Sequence, residues 1–186
     1  MQHENIQRIA DGLFQANLAS LIFNFPFTEA GRKRVDGTAV SVAALISAVA
    51  EARRLAPDLP IALGGHSYGG RMASHAVLSP EFDAACGQIQ GLVFCSFPLH
   101  PAGKPGTDRA AHLKDIAQPM LFLSGTRDAL AQPELLQGEV SRLGDKSRLH
   151  WLDTADHGYR VLKRSRKQEL DVFSEIAREA AAFLAP

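Results

Sequence analysis

Apolar positions along the chain change their period several times, and each change marks an element. Ile6, Ile9, Ala10, Leu13 and Phe14 recur at helical spacing, which predicts an amphipathic helix over residues 4–16. Residues 18–25 are a short apolar run, read as a strand that Pro26 stops. A charged loop over 29–37 leads into a long helix over 38–55. That helix carries Val42, Leu45, Ile46, Val49 and Ala52 on one face, and Ala56-Pro57 ends it. Residues 60–63 are the next apolar run, again a strand, and a helix-compatible run over 71–78 follows closely. Further strands are expected over 90–97, 119–123 and 148–152, and helices over 133–143 and 168–184. The last helix would bury Val172, Phe173, Ile176, Ala180, Phe183 and Leu184. The proline-rich residues 98–106 read as a loop, and 109–116 as a short helical piece.

Strand and helix alternate throughout. The strand runs are continuously apolar instead of alternating with polar residues, so both faces of the sheet should be buried. That pattern predicts an α/β fold: a three-layer, open, mostly parallel sheet with helices on both faces. The 186 residues suit one domain, 1–186, with no internal repeat or linker. Folds of this kind place their sites at the carboxyl ends of the strands.

The 60–63 run ends in Gly64-Gly65-His66-Ser67-Tyr68-Gly69-Gly70, and a helix begins at once. A G-x-S-x-G segment between strand and helix puts the Ser on a sharp, strained turn, with small residues two before and two after letting the chains pass. The turn would expose Ser67 Oγ and aim the Tyr68 N–H at a developing oxyanion. A serine nucleophile needs a base, and the base needs an orienting group. Asp128 lies just past the run ending at Leu123, and His157 just past the run ending at Leu152. Both are on post-strand loops, in the order Ser, acid, His. Asp128 also fits a turn or helix-cap carboxylate, and Asp153 or Asp156 are alternative orienters on the loop of His157 itself. His66, His75, His100, His112 and His150 are rival bases. His66 should point across the turn, and His150 lies inside a strand.

Charge and cysteine content narrow the function. Lys plus Arg equals Asp plus Glu, 20 of each, so no electrostatic argument supports binding to nucleic acid or to an anionic membrane. The basic clusters at 32–34 and 163–167 read as solvated loops, with contact to an anionic substrate or partner as the alternative. Cys86 and Cys95 make no disulfide framework, which fits a reducing, cytoplasmic setting, and Cys95 reads as a buried packing residue. No signal-peptide core, spanning run, P-loop or metal-ligand motif is present in the sequence, and no metal or organic cofactor is expected.

Several segments together carry a resemblance. They are Phe23-Asn24-Phe25-Pro26-Phe27, the run from Gly64 to Ser74, the run from Phe97 to Pro105, Gly125-Thr126-Arg127-Asp128, Asp156-His157-Gly158-Tyr159 and Val161 to Ser165. From about residue 4 onward the chain resembles the small serine α/β-hydrolases. It is most similar to the dienelactone-hydrolase-like predicted hydrolases, a group that includes the hydrolase-like domain of a chromatin-complex subunit. The resemblance implies Ser67 as nucleophile, Asp128 as orienting acid and His157 as base, with Tyr68 donating its N–H to the oxyanion. Dienelactone hydrolases proper use Cys, so Ser67 implies a small carboxylic ester or thioester cleaved through an acyl-enzyme. Phe25, Pro26, Phe27, His66, Pro98, Leu99 and His100 are expected around the mouth of an open acyl site, although the prolines and phenylalanines would equally cap the sheet edge.

That family opens with a strand ending in a His-Gly turn, which donates a second oxyanion N–H. Here the chain starts at Met1, at or just before the first helix, so the strand and turn are expected to be absent. The 18–25 strand and the nucleophile strand would then pair directly or leave a gap. Loss of one donor costs about 10²–10³ in rate, so the alternative to an esterase is a hydrolase-fold interaction module. An open strand edge would also favour a homodimer.

Overall fold

In the computed structural model, which describes residues 3–185, seven helices and four strands follow one another along the described chain. They are α1 (Glu4–Gln15), α2 (Pro26–Glu29), α3 (Thr38–Leu55), β1 (Leu63–His66), α4 (Tyr68–Ala76), α5 (Pro80–Cys86), β2 (Leu92–Cys95), β3 (Met120–Gly125), α6 (Pro133–Leu143), β4 (Ser147–Leu152) and α7 (Val172–Leu184). All strand pairs are parallel, in the order β1-β2-β3-β4.

The pleat explains the continuous apolar runs. Leu92 and Phe94 on β2, and Met120 and Phe122 on β3, join one core cluster; Cys95, Leu121 and Leu123 join the other. Register keeps the faces aligned, with Leu92 opposite Met120 and Phe94 opposite Phe122. On the first face, Val42, Leu45 and Val49 of α3, Ala73 of α4, Phe82 of α5 and Leu136 of α6 cover the sheet. On the second face, Val172, Phe173 and Ile176 of α7 pack on it, with Ile9 of α1 beside them. The first core centres on rings: Phe94 lies 4.9 Å from Phe122 and 5.2 Å from Phe97. All three are fully buried, so truncating Phe122 to Ala should cost about 3–5 kcal/mol. This is the three-layer α/β arrangement the alternation predicts.

Three expectations need correction. Residues 18–25, expected as a strand, are not among the four strands of the sheet. A strand exists only as part of a ladder, and β1 is the edge of this sheet. Leu63 and Ser67 donate their N–H groups across to Gly91 O and Cys95 O, at 3.0 and 2.8 Å. By the alternation of parallel ladders, the backbone groups of Gly64 and His66 face outward, and Gly64 is exposed. Phe23 instead packs against the first core, and Phe25 against Tyr68. Second, the strand expected over 60–63 lies later and runs through the glycines to His66, because Leu63 to His66 pair with Leu92 to Cys95. Third, residues 109–116 are not one helical piece but two 3-10 turns, Asp108–Ala110 and Leu113–Asp115.

Helix α5 was not expected, although Ser79-Pro80-Glu81 carries a helix start: Pro at the first turn with acidic residues beside it. The last helix begins later than its apolar pattern suggests, at Val172, where Asp171 caps it by accepting from Phe173 N–H at 3.0 Å. The 163–167 cluster is not wholly solvated either. Arg166 has a side chain only 6% exposed and is bonded to Glu175. Among the described residues no helix is long and apolar enough to cross a membrane.

Candidate active site

Ser67 sits between β1 and α4 at φ 53°, ψ −115°. This is a positive-φ conformation that L residues rarely adopt, and it persists only where surrounding structure enforces it. Two glycines make the turn passable. A Cβ on Gly65 would lie 2.6 Å from Gly69 C and Gly70 N, and one on Gly70 would lie 2.7 Å from Gly65 O. Gly69 has open space around its Cβ position. Gly65 therefore packs on the Gly69–Gly70 peptide, and of those two it is Gly70, one position later than the G-x-S-x-G spacing suggests, that has no room for a side chain. The Tyr68 N–H belongs to the first turn of α4, where amides lack intrahelical acceptors.

Ser67, His157 and Asp128 come together as a hydrogen-bonded chain. Ser67 Oγ is 2.8 Å from His157 Nε2, and His157 Nδ1 is 2.9 and 2.8 Å from the two oxygens of Asp128. The Asp128 side chain is fully buried and that of His157 is 23% exposed. The carboxylate accepts, so the ring proton sits on Nδ1 and the Nε2 lone pair faces the serine hydroxyl. Such an arrangement can take a proton from Oγ and hold the resulting imidazolium.

The two loops that carry Asp128 and His157 are laced together at the ends of β3 and β4. Thr126 and Arg127 donate N–H groups to Leu152 O (3.2 Å) and Ala155 O (2.9 Å), and Thr154 N–H reaches Thr126 Oγ1 at 2.9 Å. Gly125 makes this contact sterically feasible, since a Cβ there would lie 2.2 Å from Ala155 O. Asp156, an alternative orienter, is used by its own loop: its Oδ1 accepts from Gly158 and Arg160 N–H, both at 2.9 Å. Asp153 accepts from Lys167 N–H on the following segment.

The remaining expected residues divide. Phe25 and Phe27 pack edge-on against Tyr68, at 5.4 and 5.8 Å, with Pro26 opening α2 between them. Tyr68 donates its hydroxyl to Asp36 O at 3.2 Å and accepts from Ser41 at 2.8 Å, so its ring ties this segment to α3. Pro98, Leu99 and His100, expected at the mouth, are buried. Their loop folds back under the 128–132 segment: His100 Nδ1–H donates to Pro101 O at 3.0 Å, and its Nε2 receives the Gln132 N–H at 3.4 Å. They brace the segment that carries Asp128 instead of lining an opening.

His66 does not point away. Its Nε2 lies 2.8 Å from the carbonyl oxygen of His157, with its ring 5.4 Å from those of His157 and Tyr159. Burial pushes its pKa down to about 4, so the ring is neutral and Nε2–H is the donor. Sequence spacing carries no sign of this bond, because its acceptor is a main-chain carbonyl 91 positions away. Burial pushes the Cys95 thiol up to about 12 and holds Tyr159 protonated, so neither offers a nucleophile. Among the described residues no three His, Cys, Asp or Glu side chains gather as a metal-ligand set.

Solved structures share this framework. An alpha-beta serine hydrolase homologue from Coxiella burnetii is 17% identical, with 99% of this chain and 76% of that chain covered at a TM-score of 0.69. A serine hydrolase without lid from Xanthomonas campestris is 21% identical, covering 97% and 75% at a TM-score of 0.67. An esterase domain of a Rhodothermus marinus protein is 16% identical, covering 98% and 81% at 0.65. At these identities the likeness is one of fold. The alpha/beta hydrolase domain family, by contrast, matches residues 1–185, which takes in the strand-turn-helix around Ser67 and both post-strand loops, and the chain belongs to that family.

Proposed function

We propose that the protein cleaves small carboxylic esters or thioesters through an acyl-enzyme, with Ser67 as nucleophile, His157 as general base and Asp128 as the orienting acid. Ser67 Oγ attacks the carbonyl carbon while His157 Nε2 takes its proton. Asp128 keeps the Nδ1–H tautomer and stabilises the imidazolium. The oxyanion of the tetrahedral intermediate meets the Tyr68 N–H. As the intermediate collapses, the alcohol or thiol leaves with the proton from Nε2. Water, activated by the same nitrogen, then attacks the acyl carbon, releasing the acid and restoring Ser67.

The observation that carries this reading is the unbroken chain from Ser67 Oγ through His157 to Asp128, with 2.8 Å at each nearest approach. A cytoplasmic setting belongs to the same reading, supported by Cys86 and Cys95 being free and buried. The test is hydrolysis of p-nitrophenyl esters and a matching thioester, with mass spectrometry of the quenched protein. An acyl adduct on Ser67 and its loss in Ser67→Ala are expected. A folded protein that turns over none of these substrates would contradict the proposal.

A further inference from the structure

One turn past Ser67, α4 begins a cluster of cations that the steps above do not use. Arg71 lies one turn into α4, its N–H bonded to Ser67 O at 3.2 Å. Its Cα–Cβ bond tilts toward the nucleophile end of the helix, and its charge reaches Tyr68, His75 and His112. Arg109 is on the 3-10 turn Asp108–Ala110, in the segment that leaves the carboxyl end of β2. Both arginines are half-buried.

Neither guanidinium has an ion pair or a hydrogen bond among the described residues, and Arg71 Nε is fully buried with no acceptor. Arg166 Nε is buried without an acceptor as well, but its Nη atoms are held by Glu175 and by the Asp153 and Leu170 carbonyls, whereas those of Arg71 have no such partners among the described residues. His112, three residues past Arg109, is bonded to Ser74 Oγ of α4 at 2.7 Å, which brings the Arg109 segment against the helix that carries Arg71. Burial, and after it the charge of Arg109, push the Arg71 pKa down.

Below them two imidazoles stack. His75 and His112 have centroids 3.9 Å apart at 14°. Ser74 Oγ–H donates to Arg71 O at 2.7 Å, so His112 Nε2, 2.7 Å from Ser74 Oγ, carries its own proton and donates to that hydroxyl oxygen. His75 Nε2 is buried without a partner. Burial lowers both histidines, with Arg71 adding to the effect at His75, and His75 and then Arg71 adding to it at His112, which is pushed down to about 4. Two acids lie along the same segment: Asp108 immediately precedes Arg109, and Asp115, three residues past His112, acts to raise that ring's pKa.

We propose that Arg71 and Arg109 form a subsite for an oxyanion, and that the ester this protein cleaves carries a carboxylate or phosphate group held there. The proposal rests on the serine-hydrolase reading and extends it to substrate class. Two half-buried guanidiniums without a counter-ion repel each other. A planar or tetrahedral oxyanion between them removes that repulsion and accepts from both forks.

The experiment compares p-nitrophenyl hemisuccinate with p-nitrophenyl butyrate, which differ chiefly by a carboxylate in place of a methyl group. The wild-type protein should favour the hemisuccinate in kcat/KM by roughly tenfold or more, and Arg71→Gln and Arg109→Gln should each cut that ratio by about tenfold. Inorganic phosphate should compete with the hemisuccinate. Arg34→Gln, in the exposed 32–34 cluster, should leave the ratio unchanged. A wild-type ratio near one, or a ratio that neither variant alters, overturns the proposal. Non-competitive inhibition by phosphate does so too, because the anion would then not be part of the substrate. If neither ester is cleaved and Ser67 takes no fluorophosphonate, the serine-hydrolase reading has failed. Phosphate titration against the imidazole nitrogen resonances of His75 and His112 then decides for the subsite alone. Saturable shifts lost in Arg71→Gln support it, and no shift overturns it.

Discussion

Two histidines of this chain meet buried carboxylates at the same distance, and they differ in what the other ring nitrogen meets. His157 Nδ1 is 2.8 Å from Asp128, and His150 Nε2 is 2.8 Å from Glu175. Burial does not separate them. The imidazoles are 23% and 22% exposed, and their carboxylates are 0% and 1% exposed. The free nitrogen of His157 faces a serine hydroxyl at 2.8 Å, whereas that of His150 faces a second acid, Glu179, at 3.6 Å. Arg166 completes the Glu175 contact, and Arg148 and Arg178 engage Glu179. His150 is part of β4, in a closed ionic cluster against α7. His157 is beyond the end of that strand, on a loop held by its neighbour. A histidine–carboxylate pair is therefore no mark of catalysis by itself. The distinguishing feature is a second ring nitrogen that meets a hydroxyl at a strand end instead of another acid.

Substitutions sharpen this contrast. Ser67→Ala should reduce ester hydrolysis by about 10⁴–10⁶-fold, while His150→Gln should change it by less than about threefold in initial-rate assays of the folded proteins. Asp128→Asn keeps the shape but favours the wrong tautomer, and a loss of about 10⁴ is expected. The equivalent change in the ionic cluster acts on stability. Glu175→Gln leaves the nearly buried Arg166 without its counter-ion and should lower the unfolding free energy by about 3–5 kcal/mol in urea melts, with activity of the folded fraction retained.

His66 supplies a test of a different sign. Its folded pKa is depressed from 6.5 to about 4, so the unfolded chain binds more protons between those values. The stability it contributes is complete above pH 6.5 and is lost as pH falls through the folded value. The full loss amounts to roughly 3 kcal/mol. His66→Gln should flatten that acid limb in pH-dependent melts. Removing its bond to the His157 carbonyl, in His66→Ala, should lower kcat by about 10- to 100-fold with KM little changed. Recovery in His66→Gln, whose amide can still donate, would separate positioning of His157 from a general loss of packing.

Much of this framework is legible in the residues because the signals are local or topological. Helix α3 is bounded by a break at Ala56-Pro57 and matches its expected span, as does α6 with Pro133 at its start. The convergence of Ser67, Asp128 and His157 follows from chain order and from each lying just past a parallel strand, since parallel strands deliver their carboxyl ends to one rim. What the residues do not disclose is non-local. The 18–25 run has strand composition, but composition cannot say whether a ladder is within reach. Proline-rich composition marks 98–101 as a loop and cannot say that the loop turns inward. Gly70, and not Gly69, is the residue the turn cannot do without, because close approach depends on how α4 leaves the turn. Arg166 sits among lysines and arginines that look solvated, yet it is held by an acid on α7.

The most direct measurement is fluorophosphonate labelling of the intact chain, with the adduct mapped by peptide mass spectrometry. A nucleophile primed by His157 and Asp128 predicts a single phosphonyl adduct on Ser67, abolished in His157→Ala and retained in His150→Gln. A folded sample in which Ser67 stays unmodified while a control serine hydrolase reacts, or in which His150→Gln abolishes labelling and His157→Ala does not, would contradict the account.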